Sequence, residues 1–221
     1  MGVYQALLLA GLLLARPARA LRADAPGPGW TEVQRTPSLV VFYREDLKHG
    51  TREVVAVTEV DLPPVTVFTA TEDVAHWPEF MPFLKEVRVV EHSRATHVSV
   101  YERFALPGMS ERDGTWQIDR RVANPASGGV FQSEWHAVPT HEALKPGVVR
   151  LRLHSGSWTL EPLANSERTR LTYRLQTDLA GTESRQAIKE ALIRSAPEVI
   201  RAVRARADWL VARAKGELHG E

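Results

Sequence analysis

Cysteine is absent from all 221 residues. Disulfide staples, thiolate metal sites and cysteine nucleophiles are therefore excluded, and stability has to come from apolar burial, which a chain of this length can supply. A surplus of charge is also missing, with 28 Lys and Arg against 27 Asp and Glu. Bulk electrostatic attraction to nucleic acid is thereby excluded as a driving force. No glycine-rich phosphate loop runs from a strand into a helix, and no Gly-x-Ser-x-Gly elbow presents a serine nucleophile. Ser155 and Ser157 lie near His154, yet no orienting carboxylate is legible beside them, so triad hydrolysis is set aside. Internal repeats and low-complexity linkers are lacking too, and nothing divides the chain into two domains.

What is present begins with an apolar run of about ten residues, Gln5 to Ala15, followed by Arg16, Pro17 and the small-x-small step Ala18-Arg19-Ala20. A bilayer span needs about 20 apolar residues. Residues 1–20 are therefore expected to be a signal peptide, cut near Ala20 on export to a periplasmic or secreted location, with an uncleaved anchor as the alternative. Ala23-Asp24-Ala25 is a second possible cut. Loss of Arg16 and Arg19 takes 28 basic residues to 26 against 27 acidic ones, a net charge of −1. Residues 21–36, with Pro26, Gly27, Pro28 and Gly29, read as an N-terminal lead, and 37–217 as the folded domain.

Within that domain, Leu39 to Tyr43 and Val54 to Val60 are β-branched runs flanking a turn at His49-Gly50, the pattern of a hairpin. Pro63 and Pro64 suit the start of a short helix, whose first amides have no intrahelical partner anyway, and this helix is expected to end near Asp73. His76 to Phe83 carries too much proline for a helix interior and is too apolar for a solvated loop, so it is expected to cover something hydrophobic. Further strands are expected at Val87–Glu91, Thr96–Leu106, Thr115–Val122, Val130–Val138, Val148–Leu160 and Thr169–Thr177, joined by short turns that favour antiparallel pairing. Leu171, Tyr173 and Leu175 alternate with polar residues, and Val149, Leu151 and Leu153 oppose Arg150, Arg152 and His154. Trp158 is out of phase with Leu151 and Leu153, and a bulge or bend at Gly156 is expected to restore it to the apolar face. After Gly181, Ile188, Leu192, Ala196, Val199, Val203, Leu210 and Ala214 form one helical stripe, with Pro197 expected to kink or split it. An α+β architecture follows, a curved antiparallel sheet wrapped around a long C-terminal helix.

This arrangement resembles the START and Bet v 1-like superfamily, whose helix-grip fold encloses a hydrophobic tunnel. The likeness is carried by Val57 to Pro82, by Glu111-Arg112-Asp113, by Gly156-Ser157-Trp158, by Thr172-Tyr173 and by Gly181. Many bacterial relatives place a proline and a tryptophan after that glycine, whereas this chain has Thr182-Glu183-Ser184-Arg185. The resemblance implies a lipid or other hydrophobic small molecule as partner, held in an internal cavity. It calls for no cofactor.

Candidate wall residues are Phe80, Met81 and Phe83 in the loop, Trp116, Trp135, Trp158 and Tyr173 on strands, and Ile188, Leu192 and Val199 on the helix. Ordinary core packing is an equal reading for each of them. Arg103, in an otherwise apolar strand beside Glu102, is a candidate for the polar end of a ligand, with pairing to Asp113 or Asp119 as the alternative. The His76-x-x-Glu79 spacing lacks a second histidine, so it reads as a solvated or capping histidine and no metal site is expected. Arg150, Arg152, Arg170, Arg174, Arg201, Arg204 and Arg206 either form a solvated outer face or meet an anionic membrane transiently.

Three functions fit this reading. The first is an exported carrier gated by Trp77 to Phe83 and the last helix. The second is a cyclase or aromatase on the same scaffold, in which Arg103, Tyr101 or Tyr173 positions or protonates the substrate. The third is a partner-binding subunit with a filled cavity. An enzyme needs two or more convergent polar or titratable groups at the cavity floor, and a carrier needs at most one.

Overall fold

The computed structural model describes residues 21–46, 50–94, 96–123, 129–178 and 180–217. The expected leader, residues 1–20, and His49 of the expected hairpin turn lie outside the described residues. The two β-branched runs pair antiparallel as β2 (Leu39–Asp46) and β3 (Thr51–Val60), in register from Leu39 opposite Thr58 to Asp46 opposite Thr51. A strand precedes them. β1 (Thr31–Arg35) pairs with β2 inside the stretch read as a lead, so the sheet begins before residue 37. Its alternation was too short to read, and only the neighbouring β2 edge makes it a strand.

Pro63 caps α1 (Pro64–Thr71), which buries Val67 and Ala70. The next segment is not the irregular loop expected. It contains a 3-10 turn, Val74–His76, and a single helical turn, α2 (Trp77–Phe80). Pro78 sits in that first turn, where a missing N–H costs no hydrogen bond. The remaining strands are β4 (Leu84–Arg94), β5 (His97–Phe104), β6 (Glu111–Ala123), β7 (Val130–Val138), β8 (Val148–Arg150), β9 (His154–Leu163) and β10 (Arg168–Thr177). The 10-stranded sheet has the order β1-β2-β3-β10-β9-β7-β6-β5-β4, antiparallel throughout except that β8 runs parallel to β6.

The expected strand Val148–Leu160 is therefore two strands, interrupted at Leu151 to Leu153. This break accounts for the phase change without a bulge. Gly156 stays in register, opposite Trp135 on β7 and Leu175 on β10. Its role is steric: a Cβ there would lie 2.3 Å from the Trp135 ring, so the missing side chain is the space that ring occupies. Beyond the break, His154 no longer shares the solvated face of Arg150 and Arg152. It is 91% buried, with 9% of its surface left accessible.

α3 (Arg185–Ala214) begins with Ser184, whose Oγ accepts the Ala187 N–H at 3.1 Å. The helix runs unbroken through Pro197. Proline forfeits one backbone hydrogen bond, at about 3 kcal/mol, but the apolar stripe on both sides holds each half against the sheet and α1. Ile188, Leu192, Ala196, Ile200 and Val203 face the main core, which fills the concave side of the sheet. A smaller cluster covers the opposite face of β2 and β3, where Leu21 and Trp30 pack on Val40, Phe42, Val55 and Val57. Among the described residues, no helix is long and apolar enough to cross a membrane.

Candidate functional site

Between the concave sheet, the α2 segment and α3 the side chains do not close completely. They leave a cavity of about 150 Å³. Met81, Phe83, Trp116, Trp135, Trp158 and Tyr173 border it, with Leu192 and Val199 contributed by α3. Phe80 and Ile188 belong to the core around it but do not border the space. A dry cavity of about 150 Å³ accepts a benzene-sized guest, so a longer ligand has to displace part of the wall. The segment Met81 to Leu84 is the wall nearest the sheet edge. Phe83 there adopts φ of 68°, a left-handed conformation that strains a residue with a bulky side chain.

Two glycines shape the wall. A Cβ on Gly114 would come within 2.1 Å of the Trp116 ring, and Gly156 makes the same room for Trp135. Trp116 thereby lies flat over its own strand, where its ring centroid is 4.5 Å from that of His154. Phe104 approaches the same histidine at 5.8 Å. At the other end Tyr173 packs on Trp158, centroids 4.5 Å apart, and on Trp135 at 6.1 Å.

Tyr101 and Arg103 do not reach this space. Alternation along β5 sends them to the other face, where the Tyr101 hydroxyl donates to Asp113 Oδ2 at 3.0 Å. Arg103 pairs with Glu86 at 3.2 Å and with Glu111, the paired reading with different carboxylates from those expected. Asp113 is taken by Arg150, at 2.6 and 2.9 Å. Glu102, one residue from Arg103, faces inward and borders the cavity instead. Burial pushes its carboxyl up to about 7, offset in part by the Trp116 indole N–H. That N–H does not attain hydrogen-bond geometry with any described residue, nor does His154 Nδ1. Burial alone pushes His154 down to about 3, so its ring is neutral near pH 7. Tyr173 is pushed upward by burial and by the nearby Glu102 carboxyl.

Glu102 had a legible signal, since it falls in phase with Val98, Val100 and Phe104 on the apolar side of β5. His154 had none, because the break before β9 reverses its face. His76 is a local partner, its Nδ1 2.6 Å from Asp73 Oδ1. Among the described residues no cluster of potential metal ligands occurs. Four of the seven arginines are held in ion pairs: Arg150 with Asp113, Arg174 with Glu53, Arg170 with Glu59, and Arg206, 8% exposed, with Asp73, while Arg201 donates to the Pro197 carbonyl.

The shape has parallels among solved structures. A STAR-related lipid transfer protein fragment from Xanthomonas axonopodis is 20% identical, with a TM-score of 0.71 over 81% of this chain and 99% of that one. Human StAR-related lipid transfer protein 5 is 16% identical, with a TM-score of 0.74 over 83% and 88%. The Zhui aromatase/cyclase from Streptomyces sp. R1128 is 18% identical, with a TM-score of 0.53 over 73% and 96%. No curated protein sequence matches the chain. At these identities the likeness is one of fold, and the sequence assignment comes from a family model described as polyketide cyclase/dehydrase and lipid transport, which matches residues 60–204. A sheet closed around one terminal helix, a cavity left between them and a family match over that same stretch place the chain in the polyketide cyclase/dehydrase and lipid transport family.

Proposed function

We propose that the protein binds a lipid or similar hydrophobic small molecule in this cavity and carries it, with Trp77 to Phe83 and α3 as the gate. The observation that carries the reading is the wall: four tryptophans, Trp77, Trp116, Trp135 and Trp158, line one space beside Leu192 and Val199. Burial of apolar surface there contributes about 25 cal/mol per Å². Native mass spectrometry of the purified protein, followed by lipid extraction, tests it. Carriage predicts a reproducible apolar molecule that leaves chemically unchanged.

A second reading has its own support. Glu102, His154 and Tyr173 border one cavity, more titratable groups than passive carriage requires. A carboxyl shifted to about 7 is poised for proton transfer near neutral pH. Catalysis as a cyclase or aromatase would then use Glu102 as the acid or base and Tyr173 to orient the substrate, in place of Arg103 and Tyr101. Turnover of an added polyketide-type substrate, lost in Glu102→Gln, distinguishes it from carriage.

Export through the expected leader is part of the same proposal. A cut near Ala20 is supported by Leu21, which is 5% exposed against Val40 and Phe42 and would be lost by a cut after Ala25. N-terminal sequencing of the processed protein decides between these positions.

A further inference from the structure

The polar side chains that border the cavity are unbalanced in charge. Among the described residues they include the carboxyls of Glu72 and Glu102 and the imidazole of His154, and no lysine or arginine. Glu72 is neutralised at the rim by Arg120. Among the described residues no cation acts on Glu102, and the arginine next in sequence is turned to the outer face by Glu86 and Glu111. Ser195 and Thr71 already spend their hydroxyl protons on the carbonyls of Leu192 and Phe68. His154 is 9% exposed and Trp116 1% exposed, and each holds a ring nitrogen without a partner.

A carboxylate or phosphate brought into this space would meet an acidic side chain and no basic one, with only neutral donors such as the Trp116 indole N–H to offset the repulsion. A head group carrying O–H or N–H meets the reverse situation. Glu102 offers acceptor oxygens, a neutral imidazole offers one acceptor nitrogen, and the faces of Trp116 and Phe104 adjoin the same corner. Those faces also favour a positive charge over a negative one.

Resting on the cavity as the ligand site, we infer that Glu102 and His154 form its polar end and select an apolar ligand with a hydrogen-bond-donating head, hydroxyl or amine, while rejecting anionic lipids. Fatty-acid and phospholipid head groups are thereby disfavoured as the end that enters first. The compact aromatic cluster further favours a flat or ring-bearing guest over a single extended chain.

Three probes of one shape test the inference by calorimetry on the full chain at pH 8: 2-naphthylmethanol, 2-naphthylmethylamine and 2-naphthoate. The alcohol, the amine or both are expected to bind at least tenfold more tightly than naphthoate. A preference for the amine identifies ion pairing with Glu102, and parity with the alcohol identifies hydrogen bonding. Glu102→Gln, checked for native circular dichroism, is expected to weaken the amine at least tenfold and to bring naphthoate within about threefold of the alcohol. Naphthoate binding as tightly as the alcohol to the unaltered protein overturns the selectivity while leaving the cavity in place, and needs no variant to fold. Failure of all three probes to bind overturns the cavity reading itself.

Discussion

Arg112 is completely buried, and its Nη2 lies 2.7 Å from Oε2 of Glu183, joining the start of β6 to the turn before α3. The same guanidinium donates to the carbonyls of Ser110 and Ala180, and Glu183 Oε1 accepts the Ser110 N–H at 2.9 Å. This fastening explains the Thr182-Glu183-Ser184-Arg185 stretch. Glu183 ties the helix start to the sheet, and Ser184 caps it.

The first prediction concerns acid stability. The Arg112 hydrogen bond, against the effect of burial, holds the Glu183 carboxyl down to about 2. Its contribution is complete above the ordinary value of 4.5 and is lost as pH falls from there through about 2. Glu183→Gln is expected to destabilise the protein by on the order of 2 kcal/mol at pH 7, allowing for solvent at the edge of the pair, with a much smaller effect near pH 2. Urea unfolding at both pH values measures it, and equal losses would refute the assignment.

Glu102 works in the opposite sense. Its carboxyl is raised to about 7, so the folded state holds the proton more tightly than the unfolded chain does. That favours folding at low pH, and the advantage is lost as pH rises from 4.5 through about 7. Relative to the native protein, Glu102→Gln is expected to gain on the order of 2 kcal/mol at pH 8 and almost nothing near pH 4. Denaturation curves that shift equally at both values would count against a desolvated carboxyl.

Leu192 is fully buried in α3 and borders the cavity. Leu192→Trp is expected to fill the space, reduce occupancy by a co-purified apolar molecule at least tenfold, and keep the native far-ultraviolet circular dichroism. Overpacking costs about 1–3 kcal/mol. Undiminished occupancy in native mass spectra would place the ligand elsewhere.

Gly114→Ala tests how the wall is built. The new Cβ would stand 2.1 Å from the Trp116 ring, which can yield only by repacking against its neighbours or into the cavity it borders. A loss of about 1–3 kcal/mol and altered tryptophan fluorescence are expected. A neutral result in thermal unfolding would show that Trp116 has another rotamer available.

Much of the fold was legible because its signals are local. The stripe from Ile188 to Val203, the alternation of Leu171, Tyr173 and Leu175, and the prolines before α1 each report a period or a terminus within a few residues. The site was legible only in its apolar part. Arg103 drew attention as the charged residue in a greasy strand, yet the period of two that buries Val98 and Val100 assigns the inner position to Glu102. β1 and the break before β9 were not legible, since both exist through pairing with distant strands.

Composition and periodicity by themselves determined that this chain lacks thiol chemistry, builds an antiparallel sheet and lays one amphipathic helix across it. Those properties depend on which residues recur at what spacing. Tertiary structure alone decided that His154 turns inward, that Gly114 and Gly156 yield their places to tryptophan rings, and that the Glu102 carboxyl borders the cavity. Each of these depends on registers and contacts between segments far apart in the chain, where a shift of one residue exchanges the buried face of a strand for the solvated one.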